Sequence, residues 1–111
     1  MIEFKPNIQG ETVDYTAVEN GKTTGHITLT YHLTACAVHR IEADNDETAE
    51  GLIRAALNAA ANRSAYTAVY EPAAFRNIAM ILGFEQDGDK LTGEIPFLLT
   101  GSCCKDNKFG K

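Results

Sequence analysis

Hydrophobic and polar positions alternate with a period of two over the first part of the chain, which is typical of β-strands with one buried face. The alternation is clearest where the apolar positions are Ile27, Leu29, Tyr31 and Leu33. Thr12 to Glu19 is also strand-like, and Asn20-Gly21 after it indicates a hairpin because both residues tolerate the positive φ of a tight turn. Cys36 to Ala43 is expected to form a further strand, antiparallel to the one before it across a short link at Thr34-Ala35.

The period changes to that of a helix after Ala43. The apolar residues that share one helical face are Ala49, Leu52, Ile53, Ala56, Leu57 and Ala60. Asp44, with Glu47 three residues later, indicates a variant of the capping box at the start of this helix. Ala65 to Tyr70 is then a short strand, which should run parallel to Cys36–Ala43 because a helix separates the two.

A second helix is expected from Pro72, since the missing N–H of proline costs nothing at a first helical position. Its buried stripe, followed by a glycine cap, is Phe75, Ile78, Ala79, Leu82 and then Gly83. Phe84 to Gln86 begins a strand that turns at residues 87–89 and returns from Leu91 to Leu99, where Pro96 indicates an edge position or a bulge. The pattern predicts one α/β (α+β) domain, with a mixed, mostly antiparallel sheet and two crossover helices.

Length and charge narrow the class of protein. The 111 residues suffice for a single domain, residues 1–111, of which 101–111 are expected to be a frayed tail. A net charge of −5 disfavours nucleic acid and anionic membranes as partners, because both bind basic surfaces. The chain has neither an apolar run near the roughly 20 residues of a membrane span nor the apolar core of a signal peptide. Three cysteines, an odd number, favour a cytoplasmic protein without a disulfide framework.

The order strand, helix, strand, helix and a strand opened by Leu82-Gly83-Phe84 resembles the acyl-CoA-binding half of the GNAT N-acyltransferases. In that family the fourth and fifth strands run parallel and splay apart, and the pantetheine arm of acyl-CoA lies between them. Cys36–Ala43 resembles the fourth strand and Ala65–Tyr70 the fifth. Ile2–Ile8, a further candidate strand, stands in place of the family's amino-terminal strand and two helices, which shape the acceptor site.

The resemblance implies that acetyl-CoA or CoA binds along the fourth strand and at the helix start that follows it. The residues at the matching positions are Ile41, Ala43, Glu47, Thr48, Ala49 and Glu50. Glu47 stands where the family has a glycine, and Asp44 and Asp46 bring further carboxylates to a site meant for phosphates. One like-charge contact at about 4 Å costs on the order of 4 kcal/mol at an effective dielectric constant of about 20, before screening. Binding therefore requires these carboxylates to turn outward.

The catalytic positions also depart from the family. The tyrosine that many members use as general acid, four residues before the glycine of the Leu-Gly-Phe motif, is Ala79 here. Tyr70 is a weak alternative candidate for an acid, and Glu42 and Glu71 are weak candidates for a base that acts on an amine substrate. The competing interpretations are a packed aromatic for Tyr70 and surface charge for the two glutamates.

Histidines and cysteines do not indicate a metal site. His26 and His32 share a strand face but lie roughly 20 Å apart at about 3.3 Å per residue, and His39 adds at most a two-histidine site. Cys103-Cys104 is a vicinal thiol pair open to oxidation, with no Cys-x-x-Cys spacing for zinc. Cys36 has the setting of a small buried hydrophobe.

Three interpretations remain open. The first is a small N-acyltransferase that moves an acetyl group directly from acetyl-CoA to an amine, with positioning supplying most of the acceleration. The second is a non-catalytic GNAT-like module for binding or dimerisation, favoured by Ala79 and the acidic loop. The third is an unrelated α+β domain. A homodimer is expected under the first two, because without the amino-terminal helices an apolar face or edge of the sheet would be exposed.

Overall fold

One seven-stranded sheet carries both helices. The computed structural model describes residues 2–96 and Leu98. The elements are β1 (Ile2–Gln9), β2 (Thr12–Glu19), β3 (Lys22–His32), β4 (Ala35–Ala43), α1 (Asp46–Asn62), β5 (Thr67–Tyr70), α2 (Arg76–Leu82), β6 (Glu85–Asp87) and β7 (Lys90–Glu94). The strand order is β1-β2-β3-β4-β5-β7-β6, with β4 and β5 parallel and the other neighbours antiparallel. The predicted fold class is confirmed. In the described part, neither helix is long and apolar enough to cross a membrane.

The hairpins follow the predicted turn chemistry. Asn20 and Gly21 have φ values of 57° and 80°, so a tight turn joins β2 to β3 as predicted. The candidate strand near the amino terminus is confirmed as β1, which pairs with β2 over its full length. The prediction for Leu33 was wrong, because it lies in the β3–β4 turn with a φ of 55° and is 87% exposed. A positive φ takes the residue out of the strand alternation, so its side chain cannot continue the buried face.

The apolar stripe of α1 packs on β2, β3 and β4 and forms the centre of the core. All six predicted stripe residues are buried, and each of the large ones, Leu52, Ile53 and Leu57, contributes about 1.5–3 kcal/mol of hydrophobic stabilisation. The predicted capping box was wrong. The N-cap is Asn45, whose Oδ1 accepts from the backbone N–H of Thr48 at 2.8 Å. Asn45 has the extended backbone of an N-cap and sits at the right spacing to reach that amide.

Helix α2 begins at Arg76 and not at Pro72, so the predicted start was wrong. Phe75 has a φ of 58°, which a continuous helix cannot include, and the side-chain hydroxyl of Tyr70 donates to the carbonyl of Ala74 at 2.6 Å. Residues 71–75 are therefore a loop. The predicted buried stripe is confirmed at Ile78, Ala79 and Leu82 but not at Phe75, which precedes the helix as its N-cap and is partly buried. A positive-φ glycine ends the helix.

The last strand is shorter than predicted. Gly88, with a φ of 69°, makes the expected turn between β6 and β7. Strand β7 ends at Glu94, and the backbone is helical at Ile95, Pro96 and Leu98. The prediction of a strand through Leu99 was therefore wrong in the part that the structure describes. Pro96 follows the strand because proline has no N–H for a ladder bond.

Candidate active site

The parallel strands β4 and β5 separate halfway along β4. They pair only between Ala35–Val38 and Thr67–Tyr70, and the last link across them is the N–H of Glu71 to the carbonyl of Val38 at 3.0 Å. Strand β4 continues through residues 39–43, paired there with β3 alone among the described strands. Because strand residues present N–H and C=O groups to both sides, this half of β4 faces an opening with its backbone. We call the opening between residues 39–43 and the chain after Tyr70 the cleft.

A β-bulge stands at the apex of the cleft. Thr28 pairs with Arg40 and Leu29 pairs with Val38, so His39 is an extra residue on β4. The bulge also explains the spacing of the core-facing residues Val38 and Ile41, both buried although they are three positions apart. An extra residue re-aims the side chains around it. As a result His39 reaches Thr30 on β3 and the chain beyond β5.

His39 joins three elements through its two ring nitrogens. Its Nδ1 lies 2.9 Å from Oε1 of Glu71, and its Nε2 lies 2.8 Å from the hydroxyl oxygen of Thr30. An ionised carboxylate only accepts, so Nδ1 carries the proton in the neutral ring and Nε2 accepts from the Thr30 hydroxyl. The side chains of His39 and Glu71 are 41% and 42% exposed. We call this set the Thr30–His39–Glu71 relay.

The relay is a grouping that sequence reasoning missed. Glu71 was a candidate base, but His39 was considered only for metal binding, 32 positions away in the chain. The sequence signal that could have found this grouping is the position of the two residues relative to the predicted strands. His39 lies in the predicted fourth strand and Glu71 follows the predicted fifth, and parallel strands bring such positions to one edge. The missing information was the register, which the bulge changes.

The amino end of α1 follows the open half of β4 directly. Asn45 takes the N–H of Thr48, which leaves the amides of Asp46 and Glu47, at the very start of the helix, as the groups a helix terminus offers to an anion. The hydroxyl of Thr48 is buried, 1% exposed, and has no hydrogen-bond partner among the described residues. The free donors at the start of α1 are therefore the amides of Asp46 and Glu47, since the Thr48 hydroxyl is closed off from solvent.

Carboxylate side chains at the start of α1 would repel an anion bound there. Asp46 and Glu47 stand in the first turn with exposed side chains, where the helix dipole stabilises them. Glu50 is paired with Arg54 one turn on, Oε2 to Nε at 3.0 Å, which offsets one of the negative charges. The free backbone amides of this helix start can bind an anion, while the carboxylates of Asp46 and Glu47 oppose it.

Comparison with known proteins identifies the fold. No protein-family model and no curated protein matches the sequence. Among solved structures, the chain is similar to the aminoglycoside 6'-N-acetyltransferase from Enterococcus faecium, with a TM-score of 0.67 over 79% of this chain and 77% of that chain at 13% identity. It is also similar to the IAA acetyltransferase from Bacillus cereus, with a TM-score of 0.65, 12% identity and 76% and 78% coverage. A third match, with a TM-score of 0.62, 14% identity and 76% and 60% coverage, is the PaiA N-acetyltransferase from Thermoplasma acidophilum in complex with coenzyme A. The chain has the GNAT fold.

Within the GNAT fold, the predicted cofactor-binding residues fall into two places. Ile41 and Ala43 lie on the open half of β4, where their side chains pack toward the core and their backbone is what a ligand could reach. Glu47, Thr48, Ala49 and Glu50 lie in the first turns of α1. Ala49 is 0% exposed, so it too can offer only its backbone.

The predicted catalytic residues are not brought together. Tyr70 is 0% exposed, and burial raises the pKa of its hydroxyl from 10.0 to about 12 although Arg76 acts to lower it. Its hydrogen bond to Ala74 favours a structural role. Glu42 lies on the open face of the sheet, its Oε1 3.8 Å from Nδ1 of His26, and its side chain is 67% exposed. Ala79 is buried in the core, so α2 places no proton donor at this position.

The face of β1–β4 opposite α1 is polar. The hydroxyl of Thr28 bonds to the carboxylate of Asp14, and a shallow depression of about 570 Å³ on this face is lined by polar and charged residues that include His26 and Arg40. This corrects the expectation of an apolar face. The large apolar side chains exposed in the described part of the chain are Ile8, Leu33, Tyr66, Met80 and Ile81.

Metal and thiol chemistry find no support at the cleft. Within residues 2–96 and Leu98, no three His, Cys, Asp or Glu residues are grouped so that they could hold an ion. Cys36 is a buried core residue as predicted, and burial raises the pKa of its thiol from 9.0 to about 11. Cys103 and Cys104 lie outside the described residues.

Proposed function

We propose that this protein is a small N-acyltransferase, with acetyl-CoA or a related acyl-CoA as donor and a small amine as acceptor. The observation that carries the proposal is the cleft, where β4 offers the backbone of residues 39–43 without a strand partner on that side. An extended ligand with amide groups can bond to such an edge as an added strand would. The pantetheine arm of CoA has that chemistry, and the N-acetyltransferases of similar fold support the choice of donor.

Each part of the donor has its own binding residues in this proposal. The backbone of Ile41 and Ala43 would bond the pantetheine amides. Of the predicted residues at the start of α1, Glu47 would offer its free backbone amide to the diphosphate, next to that of Asp46. The amides of Thr48 and Ala49 are bonded to Asn45, so Thr48, Ala49 and Glu50 would shape the helix start without bonding the diphosphate. CoA supplies the activated thioester, and the protein supplies the orientation of the acyl group toward the amine.

Proton donation to the leaving sulfur does not need a tyrosine. Ala79 cannot donate, and the Tyr70 hydroxyl is engaged with Ala74. Water at the half-exposed cleft can protonate a thiolate. Positioning then accounts for most of the rate acceleration, as expected for a direct transfer.

A non-catalytic binding module is the second candidate. The carboxylates of Asp46 and Glu47 at the helix start and the alanine in place of the family acid favour it. A homodimer in the cytoplasm is part of both proposals. Its apolar contact would involve Met80 and Ile81 of α2, which are 47% and 68% exposed, since the open face of the sheet is polar.

Calorimetric titration of CoA and acetyl-CoA into the reduced protein tests the function, at low and at physiological salt. We expect saturable binding that Glu47→Gln tightens roughly two- to fivefold, because it removes a like charge worth about 0.3–1 kcal/mol. Glu11→Gln, at an exposed carboxylate in the β1–β2 turn, is the matched control and should change nothing. Absence of binding at millimolar ligand in both the parent protein and Glu47→Gln would reject the acyltransferase and favour the binding module.

A further inference from the structure

We infer that His39 is the base of this site and takes the proton from the nucleophile as it attacks the acyl carbon, while Glu71 orients the imidazole. The inference rests on the proposed function for the identity of the donor. It does not rest on it for the chemistry of the relay, since the three side chains are placed by the fold alone.

The tautomer of His39 is suited to this role. The Glu71 carboxylate accepts from Nδ1–H at 2.9 Å, so the lone pair of the neutral ring is on Nε2. In the free protein the Thr30 hydroxyl occupies that lone pair at 2.8 Å. A nucleophile that replaces the Thr30 hydroxyl finds Nε2 as a hydrogen-bond acceptor. The ring is already oriented, because its Nδ1–H is bonded to Glu71. Glu71 also stabilises the imidazolium that forms.

The position of His39 matches the place where the acyl group must lie. The bond between Glu71 N–H and Val38 C=O closes the cleft, and the next residue on β4 is His39. A pantetheine arm laid along residues 39–43 would end with its thioester at this apex, next to His39. The lone pair on Nε2 is directed at Thr30 on β3, so the amine would approach from that side and displace the Thr30 hydroxyl.

The step balances without any further reactant. The amine nitrogen forms a bond to the acyl carbon and its proton passes to Nε2 of His39. The carbon–sulfur bond breaks with its electron pair on sulfur, the thiolate takes a proton from water in the cleft, and the imidazolium returns its proton to that water. The products are an amide and free CoA thiol, and His39 returns to its neutral form.

Other ionisable side chains lie on the same face of the sheet. They are His26 and His32 on β3 and Arg40 and Glu42 on β4. The Glu42 carboxylate lies toward His26, and among the ionisable residues of the described structure Glu71 is the one that bonds to the His39 ring. Glu71 is therefore the residue that orients the imidazole.

Acetyl transfer from p-nitrophenyl acetate, an acyl donor without CoA, to ethanolamine tests the role of His39. We expect protein-dependent nitrophenolate release that falls roughly tenfold or more in His39→Gln. His32→Gln, an exposed histidine on the same face of β3, should leave it unchanged. Glu71→Gln should lower the rate, and Glu71→Asp, which keeps a carboxylate, should restore part of it, because only an accepting group holds the proton on Nδ1.

One result would overturn the inference. It is equal release by the parent protein and His39→Gln when both show the same thermal midpoint. The CoA titration stays separate. If nitrophenolate release depends on His39 but CoA does not bind, CoA is rejected as the donor and His39 is kept as the base. If CoA binds but release does not depend on His39, CoA is kept as the donor and His39 is rejected as the base.

Discussion

Replacing Tyr70 with phenylalanine separates a structural tyrosine from a catalytic one. Tyr70 is 0% exposed, its ring centroid lies 5.8 Å from that of Phe84, and its hydroxyl donates to the Ala74 carbonyl at 2.6 Å. Phenylalanine keeps the ring packing and removes only this bond. The bond anchors the loop that follows β5, which also carries Glu71.

The expected loss of stability follows from the environment of the acceptor. A neutral hydrogen bond contributes about 0.5–1.5 kcal/mol net, and leaving its acceptor buried and unpaired would add to the cost. Ala74 is an exposed residue, so water can reach its carbonyl after the substitution. We therefore expect Tyr70→Phe to lower the free energy of unfolding by about 1 kcal/mol, or the thermal midpoint by roughly 5 °C.

Urea and thermal unfolding measure this loss, and acetyl transfer to an amine measures the catalytic effect. Tyr66→Phe, at a 51% exposed tyrosine, is the control and should change the free energy of unfolding by less than about 0.5 kcal/mol. A structural Tyr70 predicts lower stability and a turnover rate within a few-fold of the parent. Unchanged stability with a loss of turnover of roughly tenfold or more, as expected for a lost general acid, would refute the reasoning and make Tyr70 the proton donor.

Three further predictions concern packing and ionisation. Gly51→Ala would place a methyl group against the Phe4 ring, so it should destabilise the parent protein. In a Phe4→Ala background the same change should stabilise the protein by up to about 1 kcal/mol, because alanine has a higher helix propensity than glycine. A double-mutant cycle by urea unfolding in which Gly51→Ala has the same sign in both backgrounds would contradict this. Asn45→Ala should lower the free energy of unfolding by about 1 kcal/mol through loss of the N-cap, and an unchanged urea midpoint would disprove the capping geometry. Burial raises the pKa of Cys36 to about 11 and that of Tyr31 to about 12, so the unfolded chain ionises first. The resulting stability is complete below about pH 9 and declines as the pH rises toward 12, and equal urea midpoints at about pH 8 and about pH 10.5 would count against it.

Local patterning was enough to predict most elements. Strands β2 and β3 and helix α1 have strong periodicity because each buries one face and leaves the other in water, so their residues alternate with the period of the backbone. The Asn20-Gly21 turn was predictable for a related reason, since few residue pairs accept two positive φ values. The order of these elements was also enough to indicate the GNAT fold.

Local sequence patterns were less reliable at positions where a residue is compatible with a structure but does not require it. Pro72 is acceptable at a helix start, yet the helix begins at Arg76 because Phe75 takes a left-handed conformation and Tyr70 bonds the loop. The sequence predicted the cap at Asp44, and the path of the chain from β4 into α1 places Asn45 there instead. These outcomes depend on contacts that the periodicity of hydrophobic and polar residues does not predict.

The sequence by itself determined the elements, their order and the acidic start of α1, because these follow from residue type and neighbours a few positions away. Only the tertiary structure decided the site. The bulge at His39 changes the register of β4 against β3, and the short β5 ends the pairing at Tyr70. These two features bring His39 to Glu71, and neither can be read from periodicity, since a strand's register depends on its partner strands and not on its own alternation.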